Sequence, residues 1–223
     1  MYKSRMVLFA AGIAVLFALP LVCVASIIQL PDPTGIPTPF TTINFEGYSQ
    51  NTVVDTLYSP LGVSFSRDDG QDVFLYDWTG IGRTTTSPSY VLLTYTGPSA
   101  IGFSKSVNVS FASSVTAVGA YFGNDQSAGL QAAKLSVFDI SQTLLGSVTL
   151  NANINTSVDQ FLGILSTVPF YSARFENLGP TDYAVALDDL TFSNAAVPEP
   201  TSLVLLGTGL GVIGLAAWRR RKA

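Results

Sequence analysis

Histidine is absent from this 223-residue chain, and the only cysteine, Cys23, lies in an apolar run near the N-terminus. Without an imidazole the chain cannot build a Ser-His-Asp or Cys-His catalytic site, and it lacks the usual ligands of a zinc site. A single cysteine cannot form an intrachain disulfide. These absences exclude the common triad hydrolases and zinc proteins, and they leave the stability of the fold to its hydrophobic core.

Cations are also scarce in the long central part of the chain. Between residues 27 and 197 the cations are Arg67, Arg83, Lys105, Lys134 and Arg174. The same segment holds 14 of the 15 acidic residues, so its net charge is −9. Nucleic-acid binding requires clustered lysine and arginine to neutralise phosphates, so we expect no nucleic-acid partner. The acidic character is compatible with cation binding or with solubility outside the cell.

The N-terminus has the features of a secretory signal peptide. Lys3 and Arg5 precede an apolar run, and the small residues Ala25 and Ser26 follow it. This order predicts a signal peptide over residues 1–26 that a signal peptidase removes. Two alternatives stay open, namely acylation of the cysteine, which follows an unfavourable valine, and an uncleaved membrane anchor.

The C-terminus combines three features in a fixed order. A linker over residues 195–202 contains the rigid segment Val197-Pro198-Glu199-Pro200, residues 203–218 carry no charge, and residues 219–223 include the basic cluster Arg219-Arg220-Arg221-Lys222. Sixteen residues are fewer than the roughly 20 that span a bilayer comfortably, but snorkelling arginines extend the reach. The pattern predicts a transmembrane helix over 203–218, with a cytoplasmic basic tail and the rest of the chain outside.

These three features together resemble the PEP-CTERM sorting signal, a region also known as the ice-binding protein C-terminal domain without implying ice binding. The resemblance implies that an exosortase, a membrane peptidase, recognises Pro198-Glu199-Pro200 and processes the tail during export. It also implies a Gram-negative bacterium that makes extracellular polysaccharide. The alternative is a proline-rich linker before an ordinary single-pass anchor. We therefore expect a precursor anchored in the cell membrane, and then a protein of the cell surface or extracellular matrix.

Short β-branched and aromatic runs, separated by turn residues, fill the central part of the chain. Four prolines within residues 27–40 predict an irregular leading segment or stalk. Residues 41–194 predict a single antiparallel β-sandwich, which is large enough to bury its own core. The predicted strands are 42–45, 62–66, 73–78, 90–94, 106–111, 115–122, 134–140, 144–150, 161–166, 172–175 and 184–192.

Acidic residues stand at both ends of this predicted domain. The opening Ile43–Gly47 and the closing Ala186–Phe192 resemble jelly-roll domains of the galactose-binding and carbohydrate-binding-module type. That resemblance implies that the first and last strands pair, and that Glu46 joins Asp188 or Asp189 at a structural calcium ion. Calcium requires six to eight oxygen ligands, so carbonyl groups or water would complete the shell. The alternative is an acidic strand end that faces solvent.

Two further patterns bear on function. Tyr76 and Trp78 alternate along one predicted strand, which suits either sugar stacking on an exposed face or packing in the core. Glycoside hydrolysis needs only two carboxylates, but the central segment has two glutamates, Glu46 and Glu176, that nothing places across one cleft. We therefore expect a non-catalytic surface or matrix protein associated with exopolysaccharide or biofilm. The alternatives are a carbohydrate-binding module with structural calcium and, least favoured, a glycan-active hydrolase.

Overall fold

The computed structural model describes residues 25–94, 106–123, 132–151, 153, 155, 157–179 and 185–197. The predicted signal peptide up to residue 24, the sorting residues Pro198–Pro200, the apolar run 203–218 and the basic cluster after it lie outside the described residues. Within the described ranges, no helix is long and apolar enough to cross a membrane.

Antiparallel strands make up nearly all of the regular structure in the described residues. In chain order they are β1 Ile27–Leu30, β2 Thr41–Ile43, β3 Val63–Arg67, β4 Phe74–Asp77, β5 Tyr90–Leu93, β6 Ser106–Gly123, β7 Ala132–Phe138, β8 Leu144–Asn151, β9 Val158–Asn177 and β10 Ala186–Ser193. Three single-turn 3₁₀ helices occur at Pro33–Gly35, Ser59–Leu61 and Thr79–Ile81. The described part of the chain therefore has the all-β antiparallel fold that the sequence predicts for it.

The two long strands β6 and β9 pair with each other and divide the fold into two halves. In the first half the strand order is β3, the N-terminal part of β6, the C-terminal part of β9, β7 and β8. In the second half the order is β4, β5, β10, the C-terminal part of β6, the N-terminal part of β9, and β1. Strand β2 pairs with the end of β10.

A local shift of register separates the two halves. From the pair Ser110–Ser172 to the pair Val115–Phe170, β6 advances five residues while β9 advances two. From Val115–Phe170 to Ala117–Leu165, β6 advances two residues while β9 advances five. Extra residues of this kind act as bulges that bend and twist a sheet. Because the two offsets cancel, the regular pairing resumes on the far side of the bend.

Both halves contribute side chains to one large hydrophobic core. Phe45, which follows β2 in the second half, is completely buried and packs edge-to-face on Tyr58 at 5.8 Å and on Phe65 at 6.0 Å between ring centroids. Phe65 belongs to β3 in the first half. Strand β6 supplies Val109 to this core from one half and Val118 from the other. The bend thus lets two parts of one hydrogen-bonded sheet bury their inner faces together.

The structure corrects two predictions about the strands. Predicted strands 106–111 and 115–122 are parts of the single strand β6, and 161–166 and 172–175 are parts of β9. The leading segment 27–40 is not an irregular arm at its start, because β1 pairs with β9 from Ile27–Ser166 to Leu30–Gly163. All four prolines follow β1, so none of them removes a hydrogen-bond donor from it.

Strand β1 covers a small second core on the outer side of the second half. Leu30 and Ile36 are buried there with Ala117 and Phe161. Replacing Leu30 with alanine should therefore lower the free energy of unfolding by about 2–5 kcal/mol, as for other buried leucines. Ile28 lies in the same strand but is 48% exposed, so Ile28→Ala should change stability by about 0.5 kcal/mol or less. Chemical denaturation of both variants checks this difference, and equal losses would show that β1 does not pack as described.

Candidate functional site

The acidic end of β10 lies beside the loop that precedes β5. Asp188 stands opposite Tyr121 of β6 in the sheet register. Its neighbour Leu187 points into the main core, so alternation along the strand places Asp188 on the other face. The loop over residues 84–89 nevertheless covers Asp188, which is completely buried. A buried carboxylate is stable only if hydrogen bonds or an ion replace its lost hydration.

Hydrogen bonds from the loop supply that replacement. Asp188 Oδ2 accepts from the Thr86 backbone N–H at 3.0 Å, the Thr86 hydroxyl at 2.9 Å and the Ser87 backbone N–H at 2.7 Å. Asp188 Oδ1 accepts from the Ser87 hydroxyl at 2.7 Å and from the Asp189 backbone N–H at 2.8 Å. The carboxylate therefore ties the loop to β10.

Glu46 binds the next part of the same loop. Its Oε1 accepts from the backbone N–H groups of Ser89 at 2.8 Å and Tyr90 at 2.7 Å. The Ser87 hydroxyl lies 3.2 Å from this oxygen and 2.7 Å from Asp188 Oδ1. A hydroxyl has one proton to donate, and the shorter distance assigns it to Asp188. The structure thus brings together Glu46 and Asp188, the two residues that the jelly-roll resemblance paired.

Asp189 has an unfavourable backbone conformation and lies close to two other acidic side chains. It has a positive φ of 46° and lies at the register shift of β10 between Asp188 and Thr191. Burial raises the pKa of Asp189 above its ordinary value, and the negative charge of Asp188 raises it further. A hydrogen bond with Thr86 opposes the rise, and the charge of Glu46 adds to it. The three predicted residues therefore form one electrostatic cluster.

The cluster is connected chiefly by hydrogen bonds to the protein itself. Within the described part of the chain, no three His, Cys, Asp or Glu side chains are grouped closely enough to hold a metal ion. Three of the carboxylate oxygens, Glu46 Oε1 and both of Asp188, already accept hydrogen bonds. A calcium ion would have to share these oxygens or use the others. Calcium at this site stays a prediction.

A second acidic segment, Asp68 to Asp72, forms an ion-paired turn. Arg67, whose side chain is buried, pairs with Asp69 at 2.5 Å, and Asp68 pairs with Arg174. Burial acts to raise the pKa of Asp68, but hydrogen bonds from Ser106 and Asn108 and the charge of Arg174 outweigh it and hold the pKa below its ordinary value. These carboxylates thus have protein partners.

The aromatic pair on β4 and the turn after it belongs largely to the interior. Trp78 is only 3% exposed and packs with Val91 and Leu93. The guanidinium carbon of Arg83 lies 4.7 Å from the centroid of its ring. Tyr76 is half-buried and contacts Trp78 edge-to-face at 6.4 Å. A sugar cannot stack on a buried ring, so Trp78 is a core residue, and the prediction of a ligand-binding role for it is wrong.

Sequence reasoning did not identify the residues that complete the acidic site. Thr86 and Ser87 supply four of the five hydrogen bonds to Asp188. Their only signal in the sequence is a run of hydroxyl residues, Thr84 to Ser87, ahead of Pro88. Such a run predicts a loop rich in donors, but it does not indicate which carboxylates the loop will contact.

Comparison with protein families identifies the end of the chain. Residues 196–222 match the model of the PEP-CTERM protein-sorting motif. The chain therefore carries a sorting motif of this kind, as its sequence predicts, and the motif marks it as an exported, surface-directed protein that an exosortase-type peptidase processes. No curated protein matches the chain.

Several solved structures resemble the chain at low sequence identity. The K2 cleaved adhesin domain of Lys-gingipain is 13% identical, with 69% of this chain and 99% of that one covered and a TM-score of 0.46. CBM32 of AlyQ, in complex with 4,5-unsaturated mannuronic acid, is 12% identical over 66% and 100%, with a TM-score of 0.36. CsCBM6-3 from Clostridium stercorarium, in complex with cellobiose, is 16% identical over 70% and 95%, with a TM-score of 0.28. With TM-scores this low, we draw no conclusion about this chain from them.

The electrostatics of the acidic cluster predict opposite effects at adjacent positions. Asp189→Asn should raise the melting temperature at pH 7, because it removes a charge that burial and Asp188 disfavour, and asparagine tolerates a positive φ.

Asp188→Asn should lower the free energy of unfolding by about 2 kcal/mol or more, because its amide leaves buried N–H donors without acceptors.

The pH dependence gives a sharper check of the Asp189 prediction. A carboxyl with a raised folded-state pKa contributes stability while it is protonated, and the protein loses that contribution as the pH rises through the folded pKa. The rise in melting temperature that Asp189→Asn causes should therefore be largest at pH 7. It should shrink as the pH falls through the folded-state pKa of Asp189, because the wild-type carboxyl then becomes neutral as well. Thermal melts between pH 4 and pH 8 measure it, and a gain that does not vary with pH would contradict the electrostatic cause.

Proposed function

We propose that this chain is a non-catalytic protein of the cell surface or extracellular matrix whose β-domain associates with extracellular polysaccharide. The observation that carries the proposal is the sorting motif over residues 196–222. It follows the last strand almost immediately, because β10 ends at Ser193. The export signal and the folded domain are thus joined without a long linker.

Hydrogen bonds to Ala195 hold the chain against the folded domain just before the sorting motif. The Thr116 hydroxyl donates to the Ala195 carbonyl at 2.6 Å, and the Ala195 N–H donates to the Ser193 hydroxyl at 3.1 Å. From Ala195 to Pro198 an extended chain covers at most about 11 Å. A peptidase that recognises Pro198-Glu199-Pro200 would therefore work close to the folded domain, which supports a role for this domain at the membrane surface before release.

The hydrogen bonds and ion pairs of the two glutamates in the β-domain, Glu46 and Glu176, support a non-catalytic role. Glu46 accepts hydrogen bonds from the loop before β5, and Glu176 forms ion pairs with Lys134 at 3.3 Å and Arg174 at 3.1 Å. A glycosidase places two carboxyl groups across one cleft, with one of them free to protonate the leaving group. Glu46 and Glu176 instead have separate partners on different strands and loops. We therefore keep hydrolase activity as the least favoured alternative.

For the finer fold class we propose a β-sandwich of jelly-roll type. The first supporting observation is that the two halves bury their inner faces in one core. The second is that β2 pairs with β10, from Ile43–Leu190 to Thr41–Phe192. This is the pairing of early and late strands that the resemblance implied, although β1 precedes β2 in the chain.

Changes within the sorting motif test the proposal directly. Deleting Val197–Ala223 should release the protein to the medium. Replacing Pro198 and Pro200 with alanine, while keeping residues 201–223, should leave an unprocessed precursor in the membrane fraction, because the rigid extended segment that the peptidase recognises is lost. Immunoblots of membrane, surface and medium fractions measure both outcomes.

A control separates a processed signal from a simple anchor. Thr201→Ala changes one residue next to the motif and should leave processing unchanged. If the double proline variant is processed at the same rate as the wild type, then the segment is only a linker before an anchor. If the variant lacking 197–223 stays in the membrane, the tail is not what holds the protein there.

A structural calcium ion at Glu46 and Asp188 or Asp189 is a second proposal. The uncompensated charge of the cluster favours it, because the pKa of Asp189 is raised in part by its two acidic neighbours. A divalent cation would relieve that repulsion. The loop hydrogen bonds to Glu46 and Asp188 provide the competing explanation for why these carboxylates meet.

Chelation distinguishes these two explanations. If calcium binds, EDTA should lower the melting temperature of the wild type, and Glu46→Ala should remove that sensitivity. If only the loop hydrogen bonds matter, Glu46→Ala should be less stable than the wild type, and EDTA should leave both melting temperatures unchanged. Asp159→Ala, at an exposed carboxylate outside the cluster, serves as the control.

A further inference from the structure

The outer face of the first half carries aligned rows of polar side chains. One row joins Ser66, Asn108, Arg174 and Ser136 on β3, β6, β9 and β7. The next row joins Ser64, Ser110, Ser172 and Phe138 on the same four strands. Alternation places both rows on one face, and the residues between them, such as Val109 and Val137, lie in the core.

A cavity of about 370 Å³ lies over these rows. Six of the eight row residues line it, all except Ser64 and Ser136, together with Ala173 between the rows and Gln142 in the turn between β7 and β8. Small-ligand sites in proteins have volumes of about 300–1,000 Å³, so the cavity is large enough for one or two sugar rings. Serine, asparagine and glutamine contribute hydroxyl and amide groups, and Phe138 contributes an aromatic ring.

Two buried polar atoms beneath this face have unused hydrogen-bonding capacity. Ser136 is 2% exposed, and neither its hydroxyl nor Arg174 Nε has a hydrogen-bond partner within the described part of the chain. The two residues face each other across β7 and β9. Native proteins satisfy most buried polar atoms with protein, water or ligand. Of the two residues, Arg174 lines the cavity, so polar groups bound there would lie beside its guanidinium group.

Arg174, the charged residue in the cavity lining, belongs to a balanced network of ion pairs. Arg174 pairs with Asp68 and with Glu176, and Glu176 also pairs with Lys134. These two cations and two carboxylates sum to zero. An acidic sugar would therefore find no unpaired cation in the lining to bind. The composition of the lining instead matches a neutral ligand with many hydroxyl groups and an apolar ring face.

We infer that this cavity is a binding site for neutral sugar units. The inference rests on the proposed association with polysaccharide and names the place on the protein where the polysaccharide would bind. Ser110, Ser172, Asn108 and Gln142 would exchange hydrogen bonds with sugar hydroxyls. Phe138 would contact the apolar face of a ring. Because the cavity is open to solvent, binding of a single sugar unit should be weak, with a Kd on the order of 1 mM.

Titration with small neutral sugars tests this site. The probes are the methyl glycosides of glucose, galactose and mannose, with sodium glucuronate as the acidic comparison. Ligand-observed NMR of the full-length protein, in a detergent without a sugar headgroup, measures Kd. We expect at least one neutral glycoside to bind and glucuronate to bind at least about tenfold more weakly.

Three variants locate the binding. Ser110→Phe places a large ring in the cavity from an exposed position, and Gln142→Ala removes an exposed amide from its rim. Both should weaken binding, Ser110→Phe by about tenfold or more. Thr149→Phe makes a comparable change at an exposed position of β8 that does not line the cavity, and it should leave Kd unchanged. Gln142→Ala provides the test if Ser110→Phe fails to fold.

Two results would overturn the inference, and they are distinguishable from failure of the proposed function. If neutral glycosides bind the wild type and the cavity variants equally, sugar is bound elsewhere, and the association with polysaccharide stands without this site. If no neutral glycoside binds, the inference fails, whereas the proposed association with polysaccharide fails only if glucuronate does not bind either. Export and tail processing would be unaffected by either result, because the sorting variants measure them separately.

Discussion

The pairing of β6 with β9 is the interaction on which the rest of the fold depends. These two strands run through both halves and form the centre of each. On one side they hold β3 and β10, and on the other β7 and β1. Side chains alternate along a strand, so a slip of one residue would turn the polar rows into the core. The same register therefore determines the core, the cavity over the first half and the place of Asp188 beside its loop.

The sequence predicts the existence of most strands but not their continuity. Alternating runs such as Val107 to Phe111 indicate half-buried strands, and β6 confirms this. The small residues Ala112 to Ser114 resemble a turn, yet they lie at the bend inside β6. Pro169 likewise resembles a strand end, but β9 accommodates it between the paired residues Leu165 and Phe170, where it has no partner on β6. Only the register, a non-local property, distinguishes a bend from an end.

The candidate sites were also hard to predict from the sequence, because each depends on contacts between residues that are distant along the chain. The meeting of Glu46 and Asp188 follows from pairing early and late strands, which the resemblance supplied, whereas the loop donors Thr86 and Ser87 come from a segment distant in sequence. Alternation at Tyr76 and Trp78 is the same for a buried and an exposed face, and the packing around Trp78 decided between them. Each polar row of the cavity draws on four strands, so no single stretch of sequence could reveal it.

The charge distribution indicates what kind of contact could hold the processed protein outside the cell. Removing the tail takes away the four C-terminal cations, and the segment from residue 27 to 197 has a net charge of −9. Such a protein is repelled by acidic polymers and anionic membrane surfaces, so non-specific attraction cannot retain it there. Several of its carboxylates are already used internally, by Arg67, Arg174 and the loop before β5. Retention would therefore require specific contacts that do not depend on net charge, and neutral hydrogen bonding across the outer face of the first half is a contact of that kind.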